Sequence, residues 1–556
     1  MKVYFYGLMA MSLLSIQFIN AEEEVDEVVI TASYIDLSKS QIEGSLHVVT
    51  GEDVTNSPTQ SLGEVLDNLL GVSSTDYGAA VGQPVIRGMS GSGRVKVLNN
   101  GMNSADVSGI GADHINDICL NEIQQIEVVR GPASLLYSNG SIGGIVNIVD
   151  EAIPSDDIET YMRIGLESQS VNDGDAGHFS AGANLGGINF TFSAKDSQFG
   201  NYDVPKGAII HSEDHEDHEG HEEEEHEEEE HEENLGFLAN SDFEQETYRF
   251  GLSKVSDWGY IGASLRSVES IYGIPYHGEE HGHEEHGHEE EHGDEDEGHE
   301  EHEGERIFST TDSDVFDVKG SFNFEDGFIQ TADFYLRDSD YSLTEQHAEE
   351  EHEEEHEEEH EDEHDSHSEG PTTFSNEAQE FGTTLTLSSL DNFEQKLAIK
   401  SISEDISILG EEAFMLPADS DEVTFGYYAS TETPLGKVDL GVRYDRISRK
   451  GSVMHHEEEH EDEHEHEHED EHEDEHEVEI DYFDRDINST SYSFALSNDL
   501  SENLSYNFGA SYLERAPTVV ELFMNGAHLA TGRFEVGNTA LEKEEAANYD
   551  LTLNYE

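Results

Sequence analysis

Basic residues are scarce in this chain of 556: 26 Lys and Arg stand against 128 Asp and Glu, for a formal net charge of −102. Phosphate would be repelled by such a balance, which excludes nucleic acid as a partner and leaves cations as the natural ligand class. Cysteine is scarcer still. Cys119 is the only one, so no internal disulfide can form. Long apolar runs are missing beyond the first 21 residues, and a helical membrane span needs about 20 such residues in succession. If the mature chain sits in a membrane, it must do so as a β-barrel, the other structure that satisfies its own backbone there. No Ser/His/Asp order, nucleotide-binding loop or closed carboxylate pair is present, so the sequence does not read as an enzyme.

The acid that is present is unevenly spread. Four tracts, 211–233, 277–305, 345–369 and 455–479, hold 61 of the 128 acids and 28 of the 32 histidines. The N-terminus has the pattern of a Sec-type export signal: Lys2, an apolar stretch from Val3 to Ile19, and Ala21 before the acidic Glu22. Cleavage after Ala21 is expected in preference to an anchor, because Ser12, Ser15 and Gln17 interrupt the apolar stretch.

Residues 22–39 form an acidic lead and linker. Residues 40–153 read as a mixed α/β unit: Leu62, Val65, Leu66, Leu69 and Leu70 have helical spacing, while Val95–Leu98 and Ile123–Val129 read as strands between glycine-rich turns. From residue 154 alternation takes over, as in Asn189–Ala194 and Ser491–Leu496. A soluble β-sandwich alternates in the same way. The connections separate the two. Short turns at 256–258, 325–327, 390–392, 434–436 and 500–502 alternate with long connections, and all four tracts lie in long ones. An up-and-down barrel then carries every tract on one rim, as outer-membrane barrels carry their external loops. About 14 strands are expected before the chain stops at Glu556 in mid-strand, so further strands are expected beyond it.

Several strings resemble the TonB-dependent outer-membrane receptors of Gram-negative bacteria. Glu27-Val28-Val29-Ile30-Thr31-Ala32 is similar to a TonB box. Gln83–Gly88, Val95–Gly101, Ile126–Tyr137 and Gly143–Ile148 resemble the plug domain. The resemblance implies a barrel of 22 strands in the family, a plug inside it, the TonB energy-transducing complex and outer-membrane lipid as partners, and a monomer. Gly410–Phe414, Glu514–Pro517, Glu521–Phe523, Asn525-Gly526, His528–Gly532, Phe534–Asn538 and Asp113-His114 resemble the zinc-uptake, ZnuD-like branch. The branch implies TonB-dependent uptake of Zn2+ as transported ligand, with no resident cofactor, and implies Asp113 and His114 as metal ligands.

Two kinds of metal chemistry follow. The tracts interleave imidazole with carboxylate, both of which zinc accepts. Their spacing is mixed: His352, His356 and His360 recur every four residues, His464, His466 and His468 every two, with His221, His226, His231, His283 and His288 in the same setting. Such spacing suits many weak, exchanging sites rather than one preset cage, that is, a collecting surface. His352-Glu353-Glu354-Glu355-His356 matches the zincin string by composition alone, since a metalloprotease needs it on a buried helix with a third ligand. The second kind is a small defined site, with Asp113 and His114 on a plug loop and Glu411, Glu412 and His528 from external connections of the barrel. Nickel, copper, haem or a metal chelate remain as other cargoes, and a surface metal-sequestering protein without transport remains as another class.

Overall fold

The structure, a computed structural model, describes residues 46–555 apart from 58–60, 79, 92, 121–122, 131–134, 136–139, 207, 209–235, 276–305, 326, 349–369, 391–392, 411–412, 456–478, 502, 529–530 and 532. The signal segment, Glu27–Ala32, Glu411, Glu412 and every tract histidine named above lie outside the described residues.

The N-terminal unit is built from β1 (Leu46–Thr50), α1 (Gly51–Thr55), α2 (Leu62–Leu66), β2 (Val72–Ser74), β3 (Pro84–Ile86), β4 (Val95–Asn99), β5 (Met102–Asn103), β6 (Ile123–Val129) and β7 (Gly144–Asp150). Its sheet runs β1-β6-β7-β4-β5, with β4 and β7 parallel. α1 starts where Thr50 and Asp53 cap each other's backbone N–H groups, a reciprocal box that satisfies two otherwise orphaned donors. Leu62 and Leu66 of α2 pack with Ile86, Val95, Ile126, Val128 and Ile148 into one apolar core. Leu70, at the end of the helical spacing, is exposed, because α2 closes at Leu66.

The rest is a single antiparallel meander: β8 (Tyr161–Gln169), β9 (Gly174–Asn184), β10 (Ile188–Phe199), the small ribbon β11 (Tyr202–Asp203) and β12 (Phe237–Leu238), then β13 (Phe243–Ser256), β14 (Gly259–Gly273), β15 (Arg306–Asn323), β16 (Ile329–Ala348), β17 (Thr372–Leu390), β18 (Phe393–Leu409), β19 (Ala418–Thr433), β20 (Gly436–His455), β21 (Glu479–Ser501) and β22 (Leu504–Arg515). A short helix, α3 (Val519–Phe523), and a ribbon of β23 (Asn525–His528) and β24 (Arg533–Val536) precede β25 (Glu544–Tyr555). Fourteen of these strands form one sheet, from β8 to β25. Short turns join β13 to β14, β15 to β16, β17 to β18, β19 to β20 and β21 to β22, where the sequence places them. Antiparallel pairing therefore puts the β10–β13, β14–β15, β16–β17, β18–β19, β20–β21 and β22–β25 connections on the opposite rim.

Neighbouring residues show which face is which. Arg249, Asp317, Arg337, Glu380 and Arg443 are buried, while Phe250, Phe316, Leu336, Phe381 and Tyr444 beside them are exposed. A soluble sandwich would reverse this. Charge inward and aromatic or aliphatic groups outward is the pattern of a barrel wall that faces lipid. The inward charges hold the N-terminal unit: Arg249 pairs with Asp150 at 3.2 Å, Arg337 donates to the Asn103 carbonyl at 3.1 Å, and Glu380 accepts from the Asn103 N–H at 2.9 Å. The unit is a plug. No helix among the described residues is long and apolar enough to cross a membrane, which says nothing of a barrel.

Three tract ends are corrected. His455 and Glu479, the expected limits of the fourth tract, close β20 and open β21 and pair with each other. The third tract was expected to begin at residue 345, but Glu345–Ala348 continue β16 and pair with Arg306–Ser309. Backbone pairing with β15 outlasts the change in composition, so the strand carries Glu345 on its inward face.

Candidate metal centre

Residues 104–118 of the plug form a loop that is tied before any ligand is considered. Asp106 accepts from the backbone N–H groups of Ser108 at 3.1 Å and Asp117 at 3.0 Å, which draws the two ends together. The side-chain amide of Gln83, itself buried, donates to the carbonyls of Ser108, Gly111 and His114 at 2.8, 3.2 and 3.2 Å. From the barrel, the Tyr272 hydroxyl donates to the Asp113 carbonyl at 3.2 Å. Asp113 and His114 are thus fixed on a braced loop and fully buried.

The opposite wall comes from the β22–β25 connection. Thr518 and Glu521 form a capping box at the start of α3, and Arg515 grips Glu521 with two hydrogen bonds of 2.8 and 2.7 Å. The Asn525 N–H then donates to the Phe414 carbonyl at 2.7 Å, and its side chain donates to the Met454 carbonyl at 2.7 Å. This anchors β23, whose last residue is His528. Its ring stacks on Phe414 with centroids 4.6 Å apart, and His114 meets Phe374 edge-on at 4.6 Å.

Asp113, His114, Glu345 and His528 come together. One donor atom from each lies within 4.8 Å of all the others. His114 Nε2 stands 3.4 Å from Glu345 Oε1 and 3.6 Å from Asp113 Oδ2, and His528 Nε2 stands 3.6 Å from Asp113 Oδ1. Both Asp113 oxygens, His114 Nε2, Glu345 Oε1 and both His528 nitrogens are buried without a hydrogen-bond partner among the described residues. Six orphaned polar atoms in one place are costly unless something joins them. Tetrahedral zinc with bonds of about 2.0–2.1 Å sets its donors roughly 3.3–3.4 Å apart, and the three shortest contacts here, 3.4, 3.6 and 3.6 Å, approach that. Two imidazoles and two carboxylates are also a donor set that zinc takes. His114 is oriented for this role: its Nδ1 lies 3.0 Å from the Val107 carbonyl, so Nδ1–H donates and Nε2 keeps its lone pair.

Without metal, the carboxylates hold protons on the imidazoles. Burial alone would lower the His528 pKa, but the Asp113 and Glu535 carboxylates facing its two nitrogens at 3.6 Å raise it to about 10. His114 is likewise lowered by burial and raised more by the charge of Asp113 and by Glu345. Burial pushes the Asp113 carboxyl up, yet the His114 and His528 charges hold it well below the usual range.

Of the residues singled out in the sequence, the structure joins Asp113, His114 and His528; Glu411 and Glu412 fall outside the described residues. Two participants were missed. Glu345 was counted with a tract, although the inward series Ser339, Tyr341, Leu343 marks its parity on β16. Gly111 was passed over: a Cβ there would stand 2.5 Å from Asp113 Oδ1 and 2.7 Å from His528 Cε1, so only glycine leaves room. Two of the four histidines outside the tracts, His47 and His178, are elsewhere; His47 is hydrogen-bonded to Arg130 and His178 lies on β9.

A lipid-facing barrel, filled by a plug whose loop meets the external connections over a cluster of metal-type donors, defines an outer-membrane receptor of the plugged class. Residues 38–145 match the TonB-dependent Receptor Plug Domain, and residues 236–556, more than half of the chain, match the TonB dependent receptor-like β-barrel. The chain belongs to the TonB-dependent receptor family, whose members are outer-membrane receptors and not enzymes. Among curated proteins it is similar to the vitamin B12 transporter BtuB of Vibrio cholerae, 32% identical over 164 residues, which are 29% of this chain and 26% of that protein. The chain thus spans about a quarter of the length of the curated relatives it matches. Among solved structures it is similar in fold to the hemophore receptor HasR of Serratia marcescens (TM-score 0.64, 12% identity, 92% of this chain and 69% of that one). The copper transporter OprC (0.59, 14%, 92% and 70%) and the FrpB iron transporter of Neisseria meningitidis (0.61, 11%, 92% and 71%) share the fold to a similar degree.

Proposed function

We propose that the protein takes up a divalent metal ion, zinc, across the outer membrane in a TonB-dependent manner. The observation that carries this reading is the buried set of Asp113, His114, Glu345 and His528, whose donor atoms converge without partners of their own. Their close spacing suits a bare ion. A haem or a bulky chelate has no place among donors all within 4.8 Å of one another. Nitrogen and oxygen in equal number favour zinc over calcium, which prefers six to eight oxygens. Resemblance to the zinc-uptake branch supports the same choice.

The rest of the chain has a part in this reading. The His/Glu tracts, rooted on the rim above the cluster, raise the local cation concentration electrostatically and by weak ligation. The ion then passes to the four-residue site. The TonB complex engages Glu27–Ala32, with Val28, Val29 and Ile30 at its centre, and remodels the plug. Energy arrives through TonB, so the chain needs no nucleotide, and a single copy suffices. Sec-type export with cleavage after Ala21 delivers it to the membrane.

Metal-specific uptake in cells carrying the protein, with and without Asp113→Ala/His114→Ala, tests the reading. Loss of zinc uptake is expected. Normal zinc uptake in the double variant would sink the site, and selective uptake of nickel or copper by the unaltered protein would replace zinc.

A further inference from the structure

His528 is unusual in presenting both ring nitrogens unpartnered, although the side chain is only 1% exposed. Each nitrogen faces a carboxylate at the same separation. Nε2 lies 3.6 Å from Asp113 Oδ1, which is fully buried, and Nδ1 lies 3.6 Å from Glu535 Oε1, whose side chain is 26% exposed. The four-residue site uses Nε2 alone. Nδ1 and Glu535 are left over, and Glu535 is the partly exposed member of the pair.

We infer that His528 Nδ1 and Glu535 form an outer divalent-cation position, from which the ion is handed across the imidazole to the inner site. This rests on the inner-site reading above. A neutral imidazole offers one lone pair at a time, so the two positions are filled in succession. With the ion outside, the ring proton sits on Nε2 and faces Asp113. As the ion moves inward, the Nε2 proton leaves to water and Nδ1 takes one up on the Glu535 side. The ring thus keeps one proton, and the second proton of the resting imidazolium is the one released on loading. A carboxylate is in place to accept from either form, and water completes the shell at the outer position.

Placement makes the relay useful. Phe374 and Phe414 close on the two imidazoles, and Tyr272 braces the loop from the barrel side, so the inner donors are shut in by rings. A hydrated cation sheds water reluctantly into such a setting. Glu535, on β24 paired with β23 through His528 and Arg533, is a partly exposed carboxylate 3.6 Å from Nδ1. One bond to Glu535 and one to Nδ1 replace part of the hydration shell before the ion enters.

The kinetics of loading distinguish a relay from a ligand. The full-length protein in detergent would be mixed with Co2+, read by its visible absorption, and with Zn2+, read by competition. Signal lost in Asp113→Asn is assigned to the inner site, which removes the contribution of the tracts. In Glu535→Gln, the on-rate and off-rate of that signal are both expected to fall about tenfold, with the equilibrium Kd held within a few-fold because the Gln amide oxygen still accepts from Nδ1–H. Glu535→Asp should retain most of the rate, which guards against a folding artefact. Unchanged rates in Glu535→Gln would overturn the relay, and so would a weakened Kd at an unchanged on-rate, which would make Glu535 a ligand of the inner site. Absence of any Asp113-dependent signal in the unaltered protein would instead overturn the inner site itself.

Discussion

Two buried polar clusters of this molecule have opposite internal chemistry. In the barrel wall, Asp445 accepts from Arg443 Nε at 2.6 Å, Thr424 at 2.6 Å and Ser489 at 3.1 Å, and Arg443 also reaches Glu422 at 3.1 Å. Asp317 holds Arg337 with two bonds of 2.7 and 2.8 Å. Every charge there has its counter-charge in hydrogen-bond contact. At the plug–barrel junction, by contrast, one donor atom from each of Asp113, His114, Glu345 and His528 lies within 4.8 Å of the others with no hydrogen-bond partner, and no Lys or Arg forms an ion pair with either carboxylate among the described residues. The first arrangement is closed and fastens the wall to the plug. The second is built for a cation that comes and goes. Burial of charge therefore does not by itself mark a transport site; unsatisfied convergence does.

The comparison can be broken at either end. The largest effect is expected at the open cluster: His114→Ala or Asp113→Ala removes a donor and should weaken zinc binding by more than the roughly 10–100-fold that loss of an outer-shell partner costs. Isothermal titration against the tract background would read this. At the closed cluster, Arg443→Ala strands Asp445 and should lower stability by about 3–5 kcal/mol while leaving zinc affinity at the junction intact. Thermal unfolding alongside zinc titration separates the two; a large affinity loss in Arg443→Ala would erase the distinction between the clusters.

Gly111→Ala tests the close approach. A methyl within 2.7 Å of both Asp113 Oδ1 and His528 Cε1 must push the donors apart. Zinc affinity should drop by about 10–100-fold, comparable to an outer-shell defect, with the plug still folded. Wild-type affinity in this variant would mean that the donors do not need their spacing.

Acidity gives a smaller and graded effect. Metal needs the deprotonated imidazole, and His528 is raised to about 10 by Asp113 and Glu535 against the opposing effect of burial. Its proton is therefore still bound at neutral pH and must leave when zinc enters. Zinc affinity should rise with pH through the neutral range and level off only near pH 10. For the metal-free protein the sign is opposite. A histidine raised above its unfolded pKa of about 6.5 contributes stability that is complete below that value and is lost as pH rises toward 10. Calorimetry in buffers of different ionisation enthalpy should show proton release on zinc binding at pH 7.5. Zero release would contradict the protonated resting state. The smallest effect is expected from deleting the four tracts, which should lower uptake at scarce zinc and little at plentiful zinc.

Much of this was legible in the sequence because barrels advertise themselves in connections. The alternation of short turns and long loops gave the strand meander and the common rim, and the strings around Arg87 and Arg130 gave the plug. Asp113 and His114 were visible as a pair in a plug loop, and His528 through a string that resembles the zinc-uptake branch and its place in an external connection. Glu345 was hidden by composition: it opens a run of Glu and His, and only strand parity from Ser339 through Leu343 separates it from its neighbours. Gly111 and Glu535 were not legible, since their importance lies in distances across the junction that no local pattern encodes.

The most direct measurement is anomalous scattering at the zinc edge from crystals of the full-length protein soaked in dilute zinc. The expected result is one strong peak bounded by Asp113, His114 Nε2, Glu345 and His528 Nε2, absent from Asp113→Asn crystals. Zinc bound elsewhere, with no peak among these four side chains, would contradict the assignment.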